Sequence, residues 1–271
     1  MRQWRLIYDP PTSGARNMAV DEAIMGAVAR GEMPPTLRLY DWSPACLSLG
    51  YGQKTGDVDF ERLARMGWQA VRRPTGGRAI LHTDELTYSI ALPEDHPIAA
   101  GGIVESYRRI SAALLRALAD LGAPVAADRR DDSPKLTGPV CFEVPSHYEI
   151  TFDGRKLLGS AQTRRRGGVL QHGTLPLSGN VSRICDALVY PDEAARAAAK
   201  EAVHQRATTL QEALGGQVIS WHDAAEAVAR AFAETFKVQL LETGLTSAES
   251  EAADQLEATV YASVERRRLA E

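Results

Sequence analysis

Cysteine is scarce: Cys46, Cys141 and Cys185 are the only three in 271 residues. Their number is odd, they lie far apart, and no C-x-x-C or Cys/His spacing accompanies them. A disulfide framework and a zinc site are therefore not expected, and free thiols in a reducing compartment are the simpler account. Long apolar runs are missing too. No stretch approaches the roughly 18 to 20 continuous apolar residues of a membrane span. The N-terminal MRQWRLIYDPP has no apolar h-region, so no signal peptide is expected and the chain is assigned to the cytoplasm, away from any membrane. Positive charge is not in excess, and a net charge of -4 weighs against a nucleic-acid partner. The basic runs Arg164-Arg165-Arg166 and Arg266-Arg267-Arg268 read as solvated faces. No G-x-S-x-G elbow, Walker A loop or dinucleotide fingerprint occurs, and there is no internal repeat or low-complexity linker.

What is present is enough apolar material for a core. At 44% hydrophobic residues and a mean hydropathy of -0.24 the chain is globular, as one large domain or one domain with a small appendage. Asn17 is a plausible N-cap for NMAVDEAIMGAVARG, with Gly31 as its stop. TLRLYDW and CLSLGYG read as strands broken at Ser43-Pro44. A short helix over Val58 to Met66 leads into the strand WQAVRRP. Ile103, Tyr107, Ile110, Leu114, Leu118 and Leu121 follow 4-3-4-4-3 spacing, an amphipathic helix. Tyr148, Ile150 and Phe152 alternate with polar residues before Asp153-Gly154, a type I′ hairpin signal. If Phe152 pairs with Arg155, Thr151 lies opposite Lys156 and Glu149 opposite Leu158, which puts Lys156 on the face of Glu149 and away from Ile150. A second hairpin is expected to turn at Gly167-Gly168. Beyond about Pro191 the chain is alanine-rich and helical, so residues 191–271 form a helical C-terminal segment that packs on or extends a core of residues 1–190. The class is α+β, with mixed or antiparallel sheets and flanking helices.

Four places carry candidate chemistry. RRPTGGRAILH places Gly76-Gly77 in a basic setting, where backbone N–H groups can approach a ligand as a Cβ would forbid. Arg73 and Arg78 can hold an anionic or carbonyl-bearing group, although a tight turn with two exposed arginines has the same pattern. In GRKLLGSAQTR, Lys156 precedes Gly159-Ser160-Ala161, small strand residues of the kind found where something approaches the backbone. A cross-strand ion pair with Glu149 would explain that lysine equally well. His172 before Gly173, and His82 at a strand start, are each a hydrogen-bonded core residue or a base. Cys141, flanked by Gly138, Pro139 and Pro145, belongs to a loop or strand edge, where reactive groups concentrate. It is a nucleophile or one more small hydrophobe. Cys46 and Cys185 have apolar surroundings that suit buried, inert thiols.

Taken together, RRPTGGRAILH, GRKLLGSAQTRRRGGVLQHGTL and NMAVDEAI…PPTLRLYDWSPACLSLGYGQ resemble the lipoate/biotin protein ligase superfamily over roughly Trp4 to Leu177. Within it, VCFEVPSHYEITFDGRKLLGSAQTR resembles the cysteine-dependent octanoyltransferases of the LipM family. The resemblance implies a biotin/lipoate protein ligase-like catalytic domain in residues 1–190. It implies transfer of an octanoyl group from octanoyl-acyl carrier protein, the donor, to a lysine of a lipoyl-accepting protein such as the glycine cleavage H protein, with no cofactor. It implies Cys141 as nucleophile and Lys156 as its activator. Arg73, Thr75, Gly76, Gly77, Arg78 and His82 match the family's binding loop, and Gly159, Ser160, Ala161, His172 and Gly173 its acyl-pocket strands. Leu157, Leu158 and Ile80 are lining candidates that core packing explains as well, and Arg164 to Arg166 are a candidate landing site for an acidic donor.

Three relatives differ in stated ways. ATP-dependent lipoate ligases typically carry Asn-Asp where this chain has Cys141-Phe142. The other octanoyltransferase family, LipB, places its cysteine at the position of Val169 here. The octanoyl amidotransferases, which also use a cysteine, are less similar around GSAQTR and LQHG. A non-catalytic acyl- or lipoyl-domain-binding protein would need neither Cys141 nor Lys156.

Overall fold

A computed structural model describes residues 2–128 and 149–264. The elements run β1 (Arg2–Tyr8), α1 (Gly14–Ala29), β2 (Thr36–Tyr40), β3 (Cys46–Leu49), α2 (Phe60–Met66), β4 (Gln69–Arg72), β5 (Ile80–His82), β6 (Glu85–Pro93), α3 (Ile103–Asp120), β7 (Ala126–Asp128), β8 (Glu149–Phe152), β9 (Arg155–Arg165) and β10 (Gly168–Pro176). They continue with α4 (Glu193–His204), α5 (Leu210–Ala213), α6 (Trp221–Phe236), β11 (Val238–Glu242) and α7 (Ser247–Leu256). Eight strands make one mixed sheet in the order β11-β1-β2-β6-β10-β9-β8-β7, and β4-β3-β5 make a second. The expected α+β class with mixed sheets and flanking helices is what the chain adopts.

Alternation along the central strands decides which face does what. Leu37 and Leu39 of β2 and Leu86, Tyr88, Ile90 and Leu92 of β6 share one apolar cluster with Ile110, Leu114 and Leu118 of α3 and Val228 and Phe232 of α6. The residues between them, Arg38 and Tyr40, then Thr87 and Ser89, point to the other face, as period 2 requires. On that side α1 lays Met18, Ile24, Met25 and Val28 against Ile7, Ala91 and Leu170. The large sheet is thus covered on both faces, one apolar and one unusually polar. No helix among the described residues is long and apolar enough to cross a membrane.

Several local expectations shift. Ser13 caps α1 by accepting from the Arg16 N–H, while Asn17 is buried inside the helix, where its amide donates to the Thr12 and Asp41 carbonyls. The Asp153-Gly154 turn has the two positive φ values of type I′, 49° and 71°. The next turn is Arg166-Gly167, with φ of 50° and 80°, one residue before the expected glycine pair. Thr151 pairs with Lys156 as read, but an irregularity beyond it puts Ile150, not Glu149, opposite Leu158. That bulge buries Ile150, Leu157 and Leu158 together in the core. Ile103, read as part of the apolar stripe of α3, is exposed. The segment after residue 191 is not purely helical: β11 joins the large sheet parallel to β1. The same segment reaches β9, where the Lys156 N–H donates to the Arg206 carbonyl (2.7 Å) and the Thr208 N–H to the Lys156 carbonyl (3.0 Å).

Candidate active site

Strand register assembles the site floor. Arg38 of β2 lies opposite Ser89 of β6, which lies opposite His172 of β10, which lies opposite Ala161 of β9. One row over, Tyr40, Thr87, Thr174 and Gly159 line up in the same way. These rows form the polar face of the sheet. The small sheet stands against it, with Ser48 on β3, Ile80 and His82 on β5, and the loop from Arg73 to Ala79 between. Together they enclose a cavity of about 500 Å³.

Of the residues singled out from the sequence, Arg73, Gly77, Arg78, His82, Lys156, Gly159, Ser160, Ala161, His172 and Gly173 line this cavity. Thr75 lies just behind the wall, fully buried, with its hydroxyl 2.7 Å from His172 Nε2. Gly76 contributes a carbonyl that accepts from the Arg73 guanidinium. Cys141 lies outside the described residues. Ile80 is on the wall, whereas Leu157 and Leu158 are core side chains. The Arg73 guanidinium donates to the carbonyls of Ser48, Gly76 and Arg78 at 2.7 to 3.2 Å, which fastens the glycine loop to β3. Gly50 lets that loop approach: a Cβ there would stand 1.9 Å from the Gly77 carbonyl oxygen. Gly173 likewise makes room for the Tyr88–Ser160 hydrogen bond of 2.7 Å, since its Cβ would meet Ser160 Oγ at 2.4 Å.

Two buried carboxylates organise the polar wall, and sequence reading missed both. Asp21 of α1 accepts from Arg38 Nη1 (2.8 Å) and Ser89 Oγ (2.8 Å) on one oxygen, and from the Tyr40 hydroxyl (2.9 Å) and His172 Nδ1 (3.2 Å) on the other. Burial alone would raise the Asp21 carboxyl, but the His172 hydrogen bond and the Arg38 charge outweigh it and hold the group below its usual range. Burial pushes the His172 imidazole down against the pull of Asp21, so it stays neutral. Glu85 Oε1 faces His82 Nδ1 at 2.7 Å, and His82 Nε2 faces Ser48 Oγ at 2.8 Å. The His82 ring stacks on Trp42 at 3.8 Å between centroids, 9° from parallel. In the sequence Asp21 sits within NMAVDEAI and Ser48 within CLSL, an acid and a hydroxyl inside largely apolar runs, and that is the signal each leaves.

Lys156 reaches the cavity from β9 at 5% exposure, with its Cε and Nζ about the Cα side of Gly159 that a Cβ would otherwise crowd. Cys46 and Cys185 are both buried and neither is in a disulfide among the described residues. Burial, and then the charge of Glu85, pushes the Cys46 thiol well up, so it is no nucleophile.

Known proteins share this sequence and this fold. The lipoyl protein ligase A/B catalytic domain family matches residues 13–233. Octanoyltransferase LipM of Kyrpidia tusciae is 44% identical over 268 residues, 97% of each chain. That of Moorella thermoacetica is 44% identical over 91% of each. A bipartite lipoate protein ligase from Thermoplasma acidophilum, described with its E2 lipoyl domain, superposes with a TM-score of 0.80 at 23% identity, over 98% of this chain and 96% of that one. A lipoate-protein ligase A bound with ATP gives 0.80 at 22% identity, over 98% of each chain. At those identities the solved structures speak for the fold alone. The sequence relatives go further: the chain belongs to the lipoyl protein ligase A/B catalytic-domain family and, within it, to the LipM octanoyltransferases.

Proposed function

We propose that this enzyme takes an octanoyl group from octanoyl-acyl carrier protein onto Cys141 as a thioester and passes it to a lysine of a lipoyl-accepting protein of the glycine cleavage H type. The observation that carries the reading is Lys156: a lysine at 5% exposure on the wall of the cavity. An ammonium held beside a cysteine favours the thiolate over the thiol. A free cysteine has a pKa of about 8.5 and is only a few per cent thiolate at neutral pH. Each unit by which Lys156 depresses that value is about 1.4 kcal/mol of preference for the thiolate.

The chemistry divides in two. The Cys141 thiolate attacks the donor thioester, and one thioester replaces another with little change in free energy. The acceptor amine then attacks the enzyme thioester, and amide formation drives the sequence without a nucleotide. The octanoyl chain needs apolar surroundings, and Met18, Trp42 and Ile80 on the cavity wall supply them. Burying its methylenes at about 0.8 kcal/mol each gives several kcal/mol of binding. Arg164, considered as a landing site for an acidic donor, donates to the carbonyls of Ala99, Gly101 and Gly102. Arg166, at the hairpin tip, is the stronger candidate of the three.

Intact-mass spectrometry after incubation with octanoyl-acyl carrier protein, without ATP, tests this directly. The expected result is a hydroxylamine-labile gain of one octanoyl group, lost in Cys141→Ser and formed more slowly in Lys156→Ala. Acceptor modification that survives Cys141→Ser and requires ATP would make the enzyme a ligase instead.

A further inference from the structure

A lysine that stays an ammonium to hold a thiolate cannot also accept a proton, and forming the amide releases one. Acceptor lysine reaches the enzyme after leaving its first proton to water. As its nitrogen attacks the thioester carbonyl, the C–N bond forms, the C–S bond breaks and the thiolate departs. The nitrogen must then shed a second proton to a base in the cavity. Among the described residues two imidazoles line that cavity, His82 and His172.

Hydrogen-bond accounting separates them. His172 is a neutral imidazole whose Nδ1–H faces Asp21, so Nε2 accepts from Thr75, a residue behind the wall. Its basic nitrogen looks inward. His82 is different. Arg73 can only donate, and its Nη1 lies 3.1 Å from Ser48 Oγ, which leaves the Ser48 hydrogen available to His82 Nε2 at 2.8 Å. At the far end the Trp42 indole N–H donates to Thr87 Oγ1 (2.8 Å), which sends its own hydrogen to Glu85 Oε1 (2.5 Å). With Glu85 Oε1 as an acceptor, the hydrogen between the two groups sits on His82 Nδ1, and His82 Nε2 is the atom that faces the Ser48 hydroxyl. Both Ser48 and His82 line the cavity.

We propose that Ser48, His82 and Glu85 form the proton relay for the amide-forming half-reaction. The proposal rests on the thioester reading above. The acceptor N–H proton passes to Ser48 Oγ as the Ser48 hydroxyl proton passes to His82 Nε2. The serine ends as it began, and the imidazolium that forms is stabilised by the Glu85 carboxylate until it releases its proton to water. Glu85 does not touch the cavity and acts as a positioning residue. The groups facing this relay are Cys46 from the small sheet, Arg73 from the glycine loop, Asp84 beside Glu85 in the connection between β5 and β6, Tyr40 and Asp41 at the end of β2, and His172 from the large sheet.

The test starts from enzyme already loaded with one octanoyl group, quantified by mass, and measures single-turnover discharge onto a lipoyl-accepting protein across pH. General-base assistance is worth roughly 10² to 10⁴ in rate. Glu85→Gln should slow discharge at least tenfold and move the ascending limb of the pH–rate profile to lower pH, because an imidazolium without its carboxylate is harder to form. Ser48→Ala, one oxygen smaller on the same strand, should slow the same step and serves if Glu85→Gln folds poorly. Discharge at the wild-type rate in both variants, or slower discharge with an unmoved limb in Glu85→Gln, would overturn the relay. Wild-type enzyme that never loads would overturn the thioester reading itself.

Discussion

Asp21→Asn removes one charge and changes one atom in a place where both oxygens are already committed. Arg38 is 1% exposed and Asp21 fully buried, so the pair has no water to fall back on. Asparagine can keep an acceptor toward Arg38 and Ser89, but its NH₂ then faces the Tyr40 hydroxyl and His172 Nδ1. Tyr40 can rotate to accept. His172 can do so only by moving its hydrogen to Nε2, against the Thr75 hydroxyl that now donates there. Removing one partner of a buried ion pair costs about 3 to 5 kcal/mol. The lower end applies, because Asp9 stays 2.6 Å from Arg38 Nε. For a chain of this size about 3 kcal/mol corresponds to a fall in Tm of roughly 6 to 12 °C.

Two internal comparisons make the assay decisive. Asp9 touches the same guanidinium but is 21% exposed, so Asp9→Asn should cost no more than about 1 kcal/mol. The pH dependence has a definite sign as well. Because the folded-state pKa of Asp21 is lowered, its contribution is fully present above the unfolded carboxyl value of about 3.9 and is lost as pH falls through the folded value. Urea melts should show a constant gap between wild type and Asp21→Asn above about pH 5, closing below pH 4. Neutral His172 adds a trend common to both proteins. Its lowered pKa makes the unfolded chain bind the extra proton as pH drops below about 6.5, so both lose stability in acid. A loss under about 1 kcal/mol for Asp21→Asn at pH 7.5, or one equal to that of Asp9→Asn, would refute the account of this network.

Gly50→Ala sets a Cβ 1.9 Å from a backbone oxygen of Gly77, so the glycine loop must retreat by more than 1 Å. A misplacement of that size can cost about 10²-fold in rate, and octanoyl uptake followed by mass should fall accordingly; because the atom met is backbone, overpacking should also cost about 1 to 3 kcal/mol of stability, and uptake at the wild-type rate would mean that the loop does not position substrate. Glu249 pairs with Arg5 at 2% exposure on both sides and closes the capping box of α7 with Thr246. Glu249→Gln should lower stability by about 3 kcal/mol. Burial raises the Glu249 carboxyl but the bonds from Arg5 and Thr246 outweigh it, so the gap from wild type should close in acid below the usual glutamate value of about 4.3. An unchanged urea midpoint at neutral pH would show that the tail is not held there.

What the sequence disclosed and what it hid divide along a physical line. Glycines, turn pairs and apolar periods report on the backbone near them. The α3 stripe, the Asp153-Gly154 turn and the glycine loop were therefore legible. The failures among local elements have local causes. Two adjacent glycines made Gly167-Gly168 the more obvious turn, yet Arg166 takes the left-handed position; α6 ends on Lys237 at φ 54° with no glycine to announce β11. The polar wall is another matter. Arg38, Ser89 and His172 are neighbours only because β2, β6 and β10 are adjacent in register, across sequence gaps of dozens of residues. Asp21 joins them because α1 lies on that face of the sheet. Nothing in a strand marked Ser89 as facing a carboxylate rather than water, and Asp21 in a helix reads as surface until Arg38 is placed opposite. A buried charge becomes visible only with its partner, and here each partner is supplied by a different element.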